Sequence, residues 1–207
     1  MTSEGAKDLA LLVADKDMEI SLDAVLSRPE ALSTRPITYS LFRHPFHDGG
    51  VRSGGADLLN VAVRDHQCGL LVLDLEGAGA SSSDPLKLEA LLNGQLEPTW
   101  EERAAAIVIA PELDVWMWGS DEALRDPLGW TADTPIRAWL ETKRFEFDAA
   151  GKPIEPKEAM EAVTKYQKRP RSSKLYGSIV SGISLSKCTD LAFDRFRRRL
   201  QTWFPPV

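Results

Sequence analysis

Three short runs in this chain are apolar at every position and stop at acids. They are Leu9-Ala10-Leu11-Leu12-Val13-Ala14 before Asp15-Lys16-Asp17, Cys68-Gly69-Leu70-Leu71-Val72-Leu73 before Asp74-Leu75-Glu76-Gly77, and Ala105-Ala106-Ile107-Val108-Ile109-Ala110 before Pro111-Glu112-Leu113-Asp114. A strand with one wet face alternates; a run without alternation reads as a strand buried on both faces of a parallel sheet. Pro36 to Phe42, rich in β-formers, adds a fourth strand. It runs into the turn-rich segment Arg43 to Gly50.

Helical spacing fills the gaps between these strands. Met18–Leu26, Gly55–Gln67 and Pro85–Leu96 read as helices. Proline at 111, where helices like to begin, suggests another just after the last strand. Strands alternating with helices define an α/β sandwich with a mostly parallel, Rossmann-like sheet. The core covers about 7–120 and an elaboration about 129–171, within one domain. That elaboration holds helices at Thr134–Thr142 and Ala159–Tyr166 and a short strand at Arg144–Asp148. Two amphipathic helices close the chain over 172–204. Leu175, Tyr176, Ile179, Val180 and Ile183 share a face in the first; Phe193, Phe196, Leu200 and Trp203 form a stripe in the second.

With 207 residues, the chain suits one substantial core. The start, Met1-Thr2-Ser3-Glu4-Gly5, lacks the basic and apolar parts of a secretory leader, and no apolar run reaches membrane-spanning length. A cytoplasmic setting without membrane contact is expected. Cys68 and Cys188 form no Cys-x-x-Cys pair, which disfavours zinc or a disulfide framework. The net charge of −6 argues against bulk attraction to nucleic acid. Local basic clusters, Lys165/Lys168/Arg169/Arg171/Lys174 and Arg195/Arg197/Arg198/Arg199, can guide a polyanion or simply be solvated helix faces.

Ligands of parallel sheets bind where the carboxyl ends of the strands open. Asp15 and Asp17, Asp74 and Glu76, and Glu112 and Asp114 all belong to that edge. Such hard oxygen donors suit Mg²⁺ or Mn²⁺, and Asp74-x-Glu76 puts two carboxylates on one side of an extended strand end. Each acid alone has a structural alternative as a helix cap, Asp15 or Asp17 for the helix near Met18 above all. Arg43 and His44 follow the second strand and can meet phosphate. His44-x-x-His47 with Asp48 is a further, weaker metal candidate. Gly49-Gly50 and Gly54-Gly55 flank a helix start able to hold an anion. Ser172 reads as an N-cap, flanked by Arg171 and Lys174 as possible backbone-phosphate contacts. Trp116, Trp118, Trp130 and Trp139 read as core or interface packing rather than base stacking.

The order strand–acid, strand, helix, strand–Asp-x-acid, helix, strand–acid resembles the Toprim domain of topoisomerases, primases and defence nucleases. Leu11–Asp17 looks like its first motif and Leu70–Gly77 like its Asp-x-Asp motif. Pro111 to Trp116 is similar to a proline–acid–tryptophan segment of Toprim-like proteins in phage-defence loci. The resemblance implies Mg²⁺-dependent phosphodiester chemistry on nucleic acid within a prokaryotic antiviral defence system, with Asp15 as general acid/base, Asp74 catalytic and metal-holding, and Glu76 and Glu112 as further metal ligands. The chain departs from the family at both motifs, with Asp15-Lys16 in place of Glu-Gly and Glu76 in place of the last Asp. Two other classes stay open: a catalytically inactive subunit that binds defence-system proteins, and an α/β enzyme for a small phosphorylated substrate.

Overall fold

The structure, a computed structural model, describes residues 5–206; the leader reading of Met1–Glu4 lies outside them. Four strands form one all-parallel sheet: β1 (Lys7–Val13), β2 (Tyr39–Arg43), β3 (His66–Asp74) and β4 (Ala104–Ile109), in the order β2-β1-β3-β4. Register pairs Leu9 with both Tyr39 and Cys68, and Asp74 with Ile109. β1 and β3 are flanked on both sides and almost wholly buried, as their unbroken apolar runs require.

Nine helices complete the chain among the described residues. They are α1 (Lys16–Leu26), α2 (Pro29–Leu32), α3 (His47–Asn60), α4 (Pro85–Trp100), α5 (Asp121–Leu128), α6 (Ile136–Thr142), α7 (Pro156–Tyr166), α8 (Ser173–Gly182) and α9 (Leu191–Trp203). From β1 the chain winds outward to β2, then crosses back over β1 to β3 and on to β4. Because such crossovers share one hand, the reversal places α1 on the face opposite α3 and α4. α3 packs on β1 and β3, α4 on β4, and the two helices on each other. α8 packs along α1, while α9 covers β4, so the C-terminal helices complete the second face. This is the Rossmann-like α/β fold with extra C-terminal helices that the strand pattern predicts. No described helix is long and apolar enough to cross a membrane.

Helix α3 differs from expectation. It begins at His47 rather than near Gly55, and ends at Asn60 rather than Gln67. Its glycines do not turn the chain, and at Gly50 packing requires the missing side chain. A Cβ on Gly50 would run into the His44 ring, whereas one on Gly55 would be tight only against Val51 of the same helix and in ordinary contact with Leu12 and Leu71 of the sheet. The helix expected after Pro111 is only a 3-10 turn, Leu113–Trp116, and the first α-helix beyond it starts at Asp121. Arg144–Asp148 is no strand; it contributes a single antiparallel bridge, Phe147 to Pro153.

The amphipathic faces at the C-terminus are buried at Leu175, Tyr176, Ile179, Val180 and Ile183, and at Phe193, Phe196 and Leu200; Trp203 is only partly covered. Trp116, Trp118 and Trp130 are buried, and their indole N–H groups donate to Asp190, the Pro156 carbonyl and the Thr134 carbonyl. Burying an indole leaves its polar corner in need of an acceptor, and all three have one. Cys68 is buried and Cys188 half-buried, both as free thiols.

The outer edge of β4 would expose unpaired backbone groups. Asn93 and Glu89 of α4 accept the N–H groups of Ala106 and Val108 at 2.8 and 2.9 Å, and Arg195 of α9 binds both Glu89 and the Val108 carbonyl. Part of the 195–199 basic cluster is therefore structural. Arg197 and Arg198 pair with Asp194 on their own helix.

Candidate active site

In a sheet of this order the winding reverses between β1 and β3, and the crevice at their carboxyl ends is where ligands of such folds bind. A polar pocket of about 200 Å³ opens there. Asp15 lines it from the end of β1 and Asp17 from the first turn of α1, Asp74 and Glu76 from the end of β3, and Glu112 and Asp114 from the turn after β4. Asp48, from the first turn of α3, is the seventh acid; among the described residues Lys157 and Arg171 are the only cations lining it.

Each acid is held by the local chain. Asp15 is the N-cap of α1, its Oδ1 accepting the Met18 N–H at 2.8 Å, so the capping alternative describes this residue correctly. Its carboxylate lines the pocket all the same. Asp74 closes β3, and its Oδ1 accepts the Leu113 N–H at 2.9 Å, which ties the β4 turn to the pocket floor. Asp48 Oδ1 accepts the N–H of Asp74 itself at 2.7 Å. That approach needs Gly77, because a Cβ there would collide with the Asp48 carboxylate. Glu76 stands exposed at the rim, where its N–H donates to the Pro111 carbonyl at 3.1 Å.

The far wall is an ion network. Glu112 pairs with Lys157 at 3.1 Å through Oε2, while its buried Oε1 has no hydrogen-bond partner. The Tyr176 hydroxyl donates to Asp114 at 2.6 Å and the Ser173 hydroxyl to Asp17 at 2.6 Å. Arg171 reaches Glu161, Asp114 and Asp17 at 3.1, 3.6 and 3.9 Å, lies over the Tyr176 ring, and keeps a buried Nε–H without an acceptor.

Crowding seven carboxylates around two cations has an electrostatic cost. Burial pushes the Asp74 carboxyl well above the usual range, and the charges of Asp48, Asp15, Glu112 and Asp114 push it further. Glu112 is raised to about 7, first by burial and then by Asp114, with Lys157 acting the other way. Asp48 and Asp114 are also raised, chiefly by burial.

Among the described residues no three His, Cys, Asp or Glu side chains form a preassembled metal cluster. The donor set fits a hydrated Mg²⁺ instead, which takes one or two carboxylates and keeps its waters. The orphaned Glu112 oxygen and the mutual repulsion at Asp74 are both features that a cation relieves.

The other expected contacts are divided. Arg43 and His44 line a neighbouring groove of about 510 Å³ that shares Asp15 and Asp17 with the pocket. Arg43 pairs with Glu19 at 2.7 Å, and burial lowers the His44 pKa, which keeps that ring neutral. His44 Nδ1 accepts the Phe46 N–H, so it is occupied as the neutral tautomer. Arg171 belongs to the acid pocket. Lys174 does not; it is exposed beside a separate hollow with Arg169 and Asp126. Ser172 caps α8 by accepting the Leu175 N–H, as its position predicts.

Asp48 as a partner of Asp74 is absent from the strand-end pattern because it enters from a helix start. Lys157, Ser173 and Tyr176 arrive from distant segments, and no local spacing marks them. No family model, curated protein or solved structure matches the chain.

Proposed function

We propose that this chain is a Toprim-like nuclease performing Mg²⁺- or Mn²⁺-dependent phosphodiester chemistry on nucleic acid, in a prokaryotic antiviral defence system. The observation that carries the reading is the convergence of acids from three strand ends and two helix starts on a single pocket where the sheet reverses its winding. Asp74 and Glu76 would hold the ion, with Glu112 able to join them. Once bound, it supplies positive charge against a phosphate oxygen.

The protein's own groups supply the rest. Asp48 fixes the backbone of Asp74, so that carboxylate is oriented before any ligand arrives. The cap to Met18 fixes one oxygen of Asp15 and leaves the other for proton transfer. The partly exposed guanidinium of Arg171, on the pocket wall, is the cation placed to meet a phosphate oxygen.

The test is cleavage of labelled single- and double-stranded DNA and RNA with Mg²⁺ or Mn²⁺. Activity is expected, and Asp74→Ala should abolish it while circular dichroism stays native. Undiminished cleavage by that variant contradicts the reading.

One observation favours a second reading, an inactive subunit that binds partner proteins of a defence complex. Leu86, Ile154 and Leu191, each more than half exposed, rim one groove of about 470 Å³ beside the β4 end. In that case no cleavage occurs, and a neighbouring gene product forms a stable complex that Leu191→Asp disrupts.

A further inference from the structure

The whole chain carries −6, yet residues 162–189 contain no Asp or Glu and six Lys or Arg. Lys165, Lys168, Arg169 and Lys174 are exposed, and none makes a salt bridge among the described residues. The other basic cluster is partly neutralised by neighbouring acids, Arg195 by Glu89 and Arg197 and Arg198 by Asp194. Positive charge with no acid of its own is thus concentrated on one short segment.

That segment leads into the acid pocket. Arg171 lines the pocket, while Arg169 is two residues from it and Lys168 and Lys174 are three. At 3.8 Å per Cα step, those Cα atoms lie within about 11 Å of that of Arg171. Tyr166, at the end of α7, is 54% exposed. Its ring packs on Trp139 and Trp130 at 4.7 and 5.5 Å between centroids, which fixes its orientation and leaves part of it to solvent. A held, half-exposed aromatic among cations without acid partners is how proteins grip unpaired nucleotides, with charge following the backbone and the ring receiving a base.

The opposite flank of the pocket is a poorer track. Lys16 and Arg43 both bind the Glu19 carboxylate, at 3.4 and 2.7 Å, and Asp15 and Asp17 line the same groove.

Resting on the phosphoesterase reading, we infer that a single-stranded nucleic acid approaches the acid pocket along Lys165, Lys168, Arg169 and Lys174, stacking a base on Tyr166. Arg171 takes the phosphate nearest the acids. A duplex keeps its bases stacked on one another and offers none to Tyr166.

The test is binding of fluorescein-labelled oligo-dT, and of a matching duplex, by fluorescence anisotropy in EDTA across a salt series, where cleavage plays no part. Single-strand binding is expected to be tighter than duplex binding. The triple variant Lys165→Gln/Lys168→Gln/Lys174→Gln should lose about 2 from the slope of log affinity against log salt, at roughly 0.7 per lost phosphate contact. Tyr166→Ala should weaken single-strand binding about tenfold, with Tyr166→Phe close to wild type. Because Tyr166 also packs on two tryptophans, the salt slope is the readout independent of that packing. An unchanged slope in the triple variant, or duplex binding as tight as single-strand binding, overturns the inference. Binding that behaves as expected in a protein that cleaves nothing leaves this surface standing and removes the phosphoesterase reading; cleavage with an unchanged slope does the reverse.

Discussion

The carboxylate of Asp48 accepts the backbone N–H of Asp74 at 2.7 Å, joining the start of α3 to the end of β3 across the mouth of the sheet. Two acids are thereby placed side by side, and each raises the cost of ionising the region. Asp48→Asn keeps an acceptor oxygen and removes a charge, whereas Asp48→Ala leaves the Asp74 N–H without its partner. Urea unfolding in EDTA should show the alanine variant less stable than the asparagine variant by about 1–3 kcal/mol. Equal stabilities would mean that the bond carries no weight.

Sites built from crowded like charges trade stability for function. Asp74→Asn retains the oxygen that accepts the Leu113 N–H and removes the charge that Asp48, Asp15, Glu112 and Asp114 oppose. Its melting temperature in EDTA should therefore exceed that of the wild type. A lower value would show that the acids do not repel one another as the geometry implies.

Gly77 has a steric duty that can be tested alone. Alanine there would press on the Asp48 carboxylate. The expected result is a weakened thermal response to Mg²⁺, together with a lower melting temperature without it as the Asp48–Asp74 bond is strained. A full Mg²⁺ response from Gly77→Ala would show that Asp48 can yield at no expense.

Far from the site, at the amino end of β1, buried Asp8 takes two hydrogen bonds from Arg35 and two from Thr38. The Arg35 guanidinium is the largest influence, and it holds the Asp8 pKa at about 2 rather than 3.8. A carboxylate depressed in the folded state stabilises above its unfolded pKa, and that stability is lost as pH falls from about 4 toward 2. It amounts to about 2 kcal/mol. Denaturation at pH 7 should show Arg35→Met losing at least that much, with the gap narrowing as the pH is lowered through this window. A gap independent of pH would assign the loss to packing alone.

Most of the sheet was legible in the sequence because strands buried on both faces leave no polar positions to disguise them. The acids after them were legible for the same reason, since each ends an apolar run abruptly. Asp15 shows the limit: its cap to Met18 and its place in the pocket coexist, and no local pattern tells one role from both. The start of α3 was hidden because His47, Gly49, Gly50, Gly54 and Gly55 read as turn residues. Close packing on His44 is what selects glycine at position 50. The partners Lys157 for Glu112 and Tyr176 for Asp114 lie 45 and 62 residues away along the chain, contacts that only the completed fold brings together.

The proposed divalent-cation site rests on the acids at the reversal of the sheet. Isothermal titration of the metal-free protein with Mn²⁺, repeated on Asp74→Asn, tests it most directly. Saturable binding by the wild type, lost or weakened at least tenfold in the variant, is the predicted result. Absence of binding, or equal binding by both proteins, would contradict it.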